Sequence, residues 1–239
     1  MIIVTGSSNN HYLSLINLIL SFIDKCDKND KMIVCDLGID SIRWTNLQTQ
    51  FANNTNILYK TFDYSKYPEW FNINIDAGQY AWKPAIVYET MIENSGEIII
   101  WMDAGNLIMN GIEQLKSFIK SNGIYSGISS GFINDWTHPK TIAFFKCHKT
   151  DKQNRNGACL GFDTSKNFVK DFVKKYYEFC KIKECICPDG SNRENHRQDQ
   201  SVFTILFYYC KDIYKFKELN NTDQFMKFFA GYSVHNDVE

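Results

Sequence analysis

Five consecutive apolar residues, Ile98-Ile99-Ile100-Trp101-Met102, stop abruptly at Asp103-Ala104-Gly105-Asn106. An apolar run of that length without alternation suits a strand covered on both faces. Such strands belong to sheets with helices packed on either side, so the polar residues that end the run come to lie at the edge of the sheet. This one segment already narrows the fold to an α/β layer structure with a polar mouth.

The rest of the chain keeps to that plan. Ile2–Thr5 is a short apolar run that ends in Gly6-Ser7-Ser8-Asn9-Asn10, and Tyr12 to Ile23 repeats apolar residues at helical spacing. Strands are predicted at Lys31–Asp36, Asn56–Lys60 and Glu97–Met102, with helices over Ser41–Phe51 and Tyr80–Glu93 between them. Further on, a helix near Ile112–Ser121 leads to strand-like segments at Gly123–Gly131 and Ala158–Asp163. Helices follow at Ser165–Cys180 and Asp199–Cys210, separated by the polar stretch Lys181–Gln198, and a last strand is expected at Asp212–Phe216. The alternation implies a mostly parallel central sheet with helices on both faces. In such sheets ligands bind outside the carboxyl ends of the strands. The polar turns after Thr5 and after Met102 therefore point to one cleft.

Composition excludes several classes. The 239 residues carry 26 basic and 27 acidic side chains, and no Lys/Arg run interleaved with aromatics, so nucleic acid is not an expected partner. Met1-Ile2-Ile3-Val4-Thr5 reads as a strand, not a leader, and no apolar stretch is long enough to span a bilayer. The expectation is a soluble, cytoplasmic single domain over residues 1–239. The eight cysteines are spread through apparent helices and strands, as reduced core thiols would be. Cys180, Cys185, Cys187 and Cys210 could gather round zinc, but their spacing lacks paired C-x-x-C knuckles.

Taken singly, the candidate functional residues have ordinary explanations. Asp103 after a buried strand could bridge a divalent cation to a diphosphate, or cap a turn. Thr5-Gly6-Ser7-Ser8-Asn9-Asn10 offers donors and acceptors to a nucleoside, or is a plain strand-to-helix turn whose Asn10 caps the helix. It is neither G-x-G-x-x-G nor a phosphate loop of the G-x-x-x-x-G-K type, which disfavours dehydrogenases and P-loop enzymes. Lys83, early in a helix, could reach a phosphate or be solvated. Asp199 could cap its helix or face an anomeric carbon, and His235 could be a ligand or a surface residue.

Their order along the chain resembles that of the GT-A glycosyltransferases. Trp101-Met102-Asp103-Ala104-Gly105 is similar to the D-x-D strand end of glycogenin-like enzymes, and Gly157-Ala158-Cys159-Leu160-Gly161-Phe162-Asp163 resembles the strand that lines their sugar site. Asp199-Gln200 resembles the pair that opens a later helix beside the donor sugar. Tyr80-Ala81-Trp82-Lys83-Pro84 and His196-Arg197-Gln198-Asp199-Gln200-Ser201 are similar to segments of a further GT-A-like group. The resemblance implies transfer of a hexosyl group from a nucleoside diphosphate sugar, a UDP-sugar by preference, to a hydroxyl acceptor. It implies a nucleotide-binding half at 1–110 and a sugar- and acceptor-binding half at 111–239, and places the nucleoside at Thr5, Gly6, Ser7 and Asn9, and the diphosphate near Lys83, Asp103, Ala104 and Gly105. Mn²⁺ or Mg²⁺ would be held by Asp103 and a late histidine, His235. Asp199 and Gln200 would act at the sugar. One departure stands out: the second acid of D-x-D is Gly105 here, a feature that would also suit a nucleotide-sugar-binding protein without catalysis.

Overall fold

The computed structural model describes residues 1–218 and 231–238. Strands β1 (Ile2–Ser7), β2 (Lys31–Asp36), β3 (Ile57–Thr61) and β4 (Ile98–Met102) run parallel to one another. After the short β5 (Leu107–Ile108), strands β6 (Ile124–Phe132) and β7 (Gln153–Asp163) complete a six-stranded sheet in the order β3-β2-β1-β4-β7-β6. β7 lies antiparallel to β4 and to β6. A further strand, β8 (Tyr232–Ser233), pairs with β5. The sheet is therefore mostly parallel, and one sheet draws strands from both halves of the chain.

β4 sits between β1 and β7, with Val4 opposite Trp101 and Leu160 opposite Trp101 on the other side. Both of its faces are covered, which is why its sequence does not alternate. Period-two geometry sends its residues to two separate cores. Ile99 and Trp101 join Ile2, Val4, Ile33, Cys35, Leu160 and Phe162 on one face. Ile100 and Met102 join Ile3, Met32, Val34 and Cys159 on the other.

The helices divide between these faces. α1 (Tyr12–Lys25), α2 (Ser41–Gln50) and, further along, α4 (Glu113–Asn122) bring Leu15, Ile19, Leu47, Leu115 and Ile119 to the second core. The first core is covered by α3 (Trp82–Glu93), and by α7 (Asn167–Cys180) and α9 (Gln198–Tyr214). α5 (Ile133–Trp136), α6 (Pro139–Phe144) and α8 (Lys183–Ile186) are short pieces in the loops around α9. Among the described residues no helix is long and apolar enough to cross a membrane.

Two expectations need correction. The helix expected from Tyr80 begins at Trp82, because Asp76, Ala77, Gly78, Gln79 and Tyr80 all hold left-handed φ values between 46° and 60°. The indole nitrogen of Trp82 donates to Ala77 O at 3.0 Å and ties this turn down. Gly78 is required there, since a Cβ would lie 2.2 Å from Phe71 O. The strand expected at Asp212–Phe216 is helical as far as Tyr214, and α9 closes only where Lys215 turns left-handed at φ 55°. Ile213 and Tyr214 continue the helix on its exposed side, and Phe216 beyond it packs into the first core.

Candidate active site

The carboxyl ends of β1, β2 and β4 open on a cavity of about 530 Å³, within the range of small-molecule sites. Gly6, Ser7, Ser8, Asn9 and Asn10 form one wall, and Asp103, Ala104, Gly105 and Asn106 form another. The two polar turns thus share one cleft, because β1 and β4 are hydrogen-bonded neighbours. The β1 loop is braced rather than loose. Asn9 Oδ1 accepts from Asp40 N at 2.9 Å, and Ser8 Oγ donates to Asn10 Oδ1 at 2.5 Å. Helix α1 has no side-chain cap from Asn10; His11 precedes it, at the end of a short 3₁₀ turn.

A second cavity of about 230 Å³ adjoins the first and is lined by Lys83, Gly157, Gln198, Asp199 and Gln200. Asp103, Tyr80, Ala158, Arg193 and His235 border both. Asp103 is therefore the hinge between a larger and a smaller chamber.

Lys83 organises this junction. It is buried, and its ammonium lies 3.0 Å from Asp103 Oδ1, 3.6 Å from Asp199 Oδ2 and 3.1 Å from Gly157 O. Burial works to lower its pKa, but the carboxylates of Asp103 and Asp199 outweigh that and hold it above the usual lysine value. Asp103 Oδ1 also accepts from the Trp101 indole at 2.6 Å. Asp199 lies in the first turn of α9, fully enclosed, and Tyr176 OH donates to its Oδ2 at 2.9 Å. Burial raises the Asp199 pKa, with the Lys83 ammonium opposing the rise.

Two residues play different parts from those expected. Thr5 is completely buried within β1 and lines neither cavity, since the strand turns its side chain into the sheet interior; it does not reach a nucleoside. Lys83, a candidate phosphate contact in the sequence, has its ammonium engaged by two carboxylates and a carbonyl. Asp199 is not a helix cap: Arg197 precedes α9, with no side-chain cap bond. Gly6, Ser7, Asn9, Ala104, Gly105, Gln200 and His235 all line the cavities. Sequence reasoning missed Tyr176, Arg193 and Asp237. Asp237 stands two residues beyond His235, a His-x-Asp spacing that could have drawn attention to it.

The loop before α9 is held by His196, fully buried, whose Nδ1 accepts from His138 N at 3.2 Å and whose Nε2 donates to Ile186 O at 2.8 Å. Burial pushes its pKa down to about 4, so it is neutral in the native state. A histidine with a depressed native value contributes stability that is full above its unfolded value near 6.5 and is lost as pH falls toward about 4. Urea unfolding across that window should show an acid-side slope of at most about 1.4 kcal/mol per pH unit from this group. His196→Gln keeps a donor for Ile186 and should flatten the curve; parallel curves for the two proteins would contradict this assignment.

The chemistry of the cavity walls suits a hard divalent cation only in part. Carboxylate oxygen and imidazole nitrogen are available from Asp103 and His235, donors that Mn²⁺ accepts. Among the described residues no three of His, Cys, Asp or Glu converge closely enough to hold an ion by themselves. A cation here would take its remaining oxygens from a diphosphate.

The family model described as a protein of unknown function (DUF1647) matches residues 1–88. No curated protein matches the sequence. Among solved structures, the galactosyltransferase LgtC in complex with donor and acceptor sugar analogs superposes with a TM-score of 0.59 at 13% identity, over 98% of this chain and 87% of that one. The fold is that of the GT-A glycosyltransferases. Mouse xyloside xylosyltransferase 1 gives a TM-score of 0.53 at 10% identity, over 94% of this chain and 88% of its own. The bifunctional glycosyltransferase WbbM gives 0.58 at 13% identity over 87% of this chain, which spans only 37% of WbbM. At such identities a GT-A fold is what is shared, and function has to be argued from the site.

Proposed function

We propose that this GT-A-fold protein is a glycosyltransferase that takes a hexosyl group from a nucleoside diphosphate sugar, a UDP-sugar by preference, and passes it to a hydroxyl acceptor. The observation that carries the reading is the pair of adjoining cavities that meet at Asp103. The larger holds the β1 loop and suits a nucleoside; the smaller holds Asp199 and Gln200 and suits a sugar. The diphosphate would then lie where the two meet.

In the transfer, the bond from the anomeric carbon to the diphosphate breaks with its electron pair on the phosphate oxygen, and the acceptor oxygen bonds to the same carbon and gives up its proton to the departing diphosphate or to solvent. Negative charge grows on the leaving group and positive charge on the sugar. A divalent cation, bound with Asp103 and His235, would neutralise part of the diphosphate charge. Arg193, which borders both cavities, adds a fixed positive charge there. Asp199 presents a carboxylate, preorganised by Tyr176 and Lys83, to the positive charge that develops on the sugar. Gln200 orients the sugar beside it. Lys83 acts by holding both carboxylates in place.

Binding of UDP is the direct test. With UDP at about a hundred times its Kd, the melting free energy should rise by roughly 2.7 kcal/mol. Calorimetric titration should show the same ligand, and release of free sugar from a UDP-sugar would show that the site is catalytic. No heat and no stabilisation at millimolar UDP would refute the donor assignment.

A further inference from the structure

Gly105 removes the second acid of the D-x-D pattern, yet the space beside it is not empty of carboxylate. A Cβ built on Gly105 would lie 2.3 Å from Asp237 Oδ1 and 2.8 Å from Asp237 Oδ2. The carboxylate of Asp237 therefore rests directly against the backbone of residue 105, and any side chain at that position would displace it. Gly105 and Asp237 are sterically complementary: the glycine is what lets the acid in.

The segment that carries Asp237 is fastened on both sides of it. β8 pairs with β5, placing Ser233 opposite Leu107. Asn236 N donates to Gly105 O at 2.7 Å, and Val238 N donates to Ser14 Oγ at 2.8 Å. His11 Nδ1 lies 3.2 Å from Asp237 Oδ1. The carboxylate is half-exposed, and it lines the larger cavity together with Asp103 and His235.

A second, independent feature marks the same wall. Asn106, 1% exposed, lines this cavity, and its Nδ2 donates to Ala158 O at 2.8 Å while its buried Oδ1 has no hydrogen-bond partner. A buried oxygen in that condition costs free energy unless a donor or a cation reaches it. It sits next to Gly105, on the stretch of chain that also bears Asp103.

We propose that Asp237 supplies the carboxylate that position 105 lacks, so that a divalent cation brought with the donor diphosphate is held by Asp103, from the turn after β4, and Asp237, from the carboxyl-terminal segment. This rests on the nucleotide-sugar reading above. The second acid has moved from the turn after β4 to the carboxyl-terminal segment, which thereby becomes part of the binding site. Because the acids come from two separate segments, cation and nucleotide should each strengthen the other.

The test is Mn²⁺ titration of the whole chain, followed by the paramagnetic resonance signal of free Mn²⁺, with and without UDP, alongside calorimetric UDP binding in chelator. The wild type should bind Mn²⁺ weakly alone and at least tenfold more tightly with UDP. Asp237→Asn should lose most of that gain, at least tenfold, while the variant stays folded by its melting curve and still binds UDP in chelator. In the double variant Gly105→Asp with Asp237→Gly, a carboxylate returns to the turn and Mn²⁺ binding should recover. If Asp237→Asn binds Mn²⁺ with UDP as the wild type does, Asp237 is only a partner of His11 and the proposal falls, with the donor reading intact. Wild-type UDP binding indifferent to Mn²⁺ overturns it equally. Absence of UDP binding by the wild type removes the donor reading and this proposal together.

Discussion

Asp199→Asn should lower turnover by about two orders of magnitude while UDP affinity stays within about a factor of two, the pattern of a group that acts in the transition state. Asn is nearly isosteric and still accepts from the Tyr176 hydroxyl, so the packing around α9 should survive. What disappears is the negative charge beside the sugar chamber. Steady-state rates with saturating donor, calorimetry with UDP and a melting curve separate the possibilities. Near-normal turnover with an unchanged melting curve would make Asp199 a structural anchor for Lys83 and nothing more.

Lys83→Met should be the most destabilising single change at this site, costing about 3–5 kcal/mol, because it leaves the enclosed Asp199 carboxylate without its cation. The pH dependence follows from the directions of the two shifts. Lys83 has a native pKa above its ordinary 10.5, so its contribution is full below that value and is lost as pH rises through the native one. Asp199 is already raised by burial, and loss of the ammonium raises it further; the variant therefore regains stability as pH falls and the acid protonates. The gap between wild type and Lys83→Met, measured by urea unfolding, should be widest between those limits and narrow toward acid. A loss below about 1 kcal/mol at neutral pH would mean that water, not Lys83, compensates Asp199.

The candidate site was partly legible in the chain and partly hidden from it. Asp103 could be found because a buried strand that ends in an acid has few places to put it. The β1 loop could be found because it follows a parallel strand, and parallel neighbours open on the same edge. Lys83 was visible as a residue but not as a role, since its partners, Asp103, Asp199 and Gly157, come from three other segments. His235 was visible through resemblance, and the structure brings it to the boundary of both cavities. Thr5 was misplaced because apolar patterning shows that a strand is buried on both faces, without saying which polar neighbour turns inward.

Sequence by itself determined the layers of this protein. Runs such as Ile98–Met102 and helices with apolar residues at a spacing of three and four carry their burial in their own period, so strands, helices and the polar edge between them follow from local patterns. Tertiary structure alone decided how the polar groups at that edge are paired. The Lys83 ammonium between two carboxylates, the Tyr176 hydroxyl on Asp199 and the Asp237 carboxylate against Gly105 join residues remote in sequence. Such contacts are set by distances of about 3 Å between side chains, which depend on how β4, α3, α7, α9 and the carboxyl-terminal segment pack. No period in the chain encodes those distances, and only the packed fold sets the Asp237 carboxylate beside Gly105.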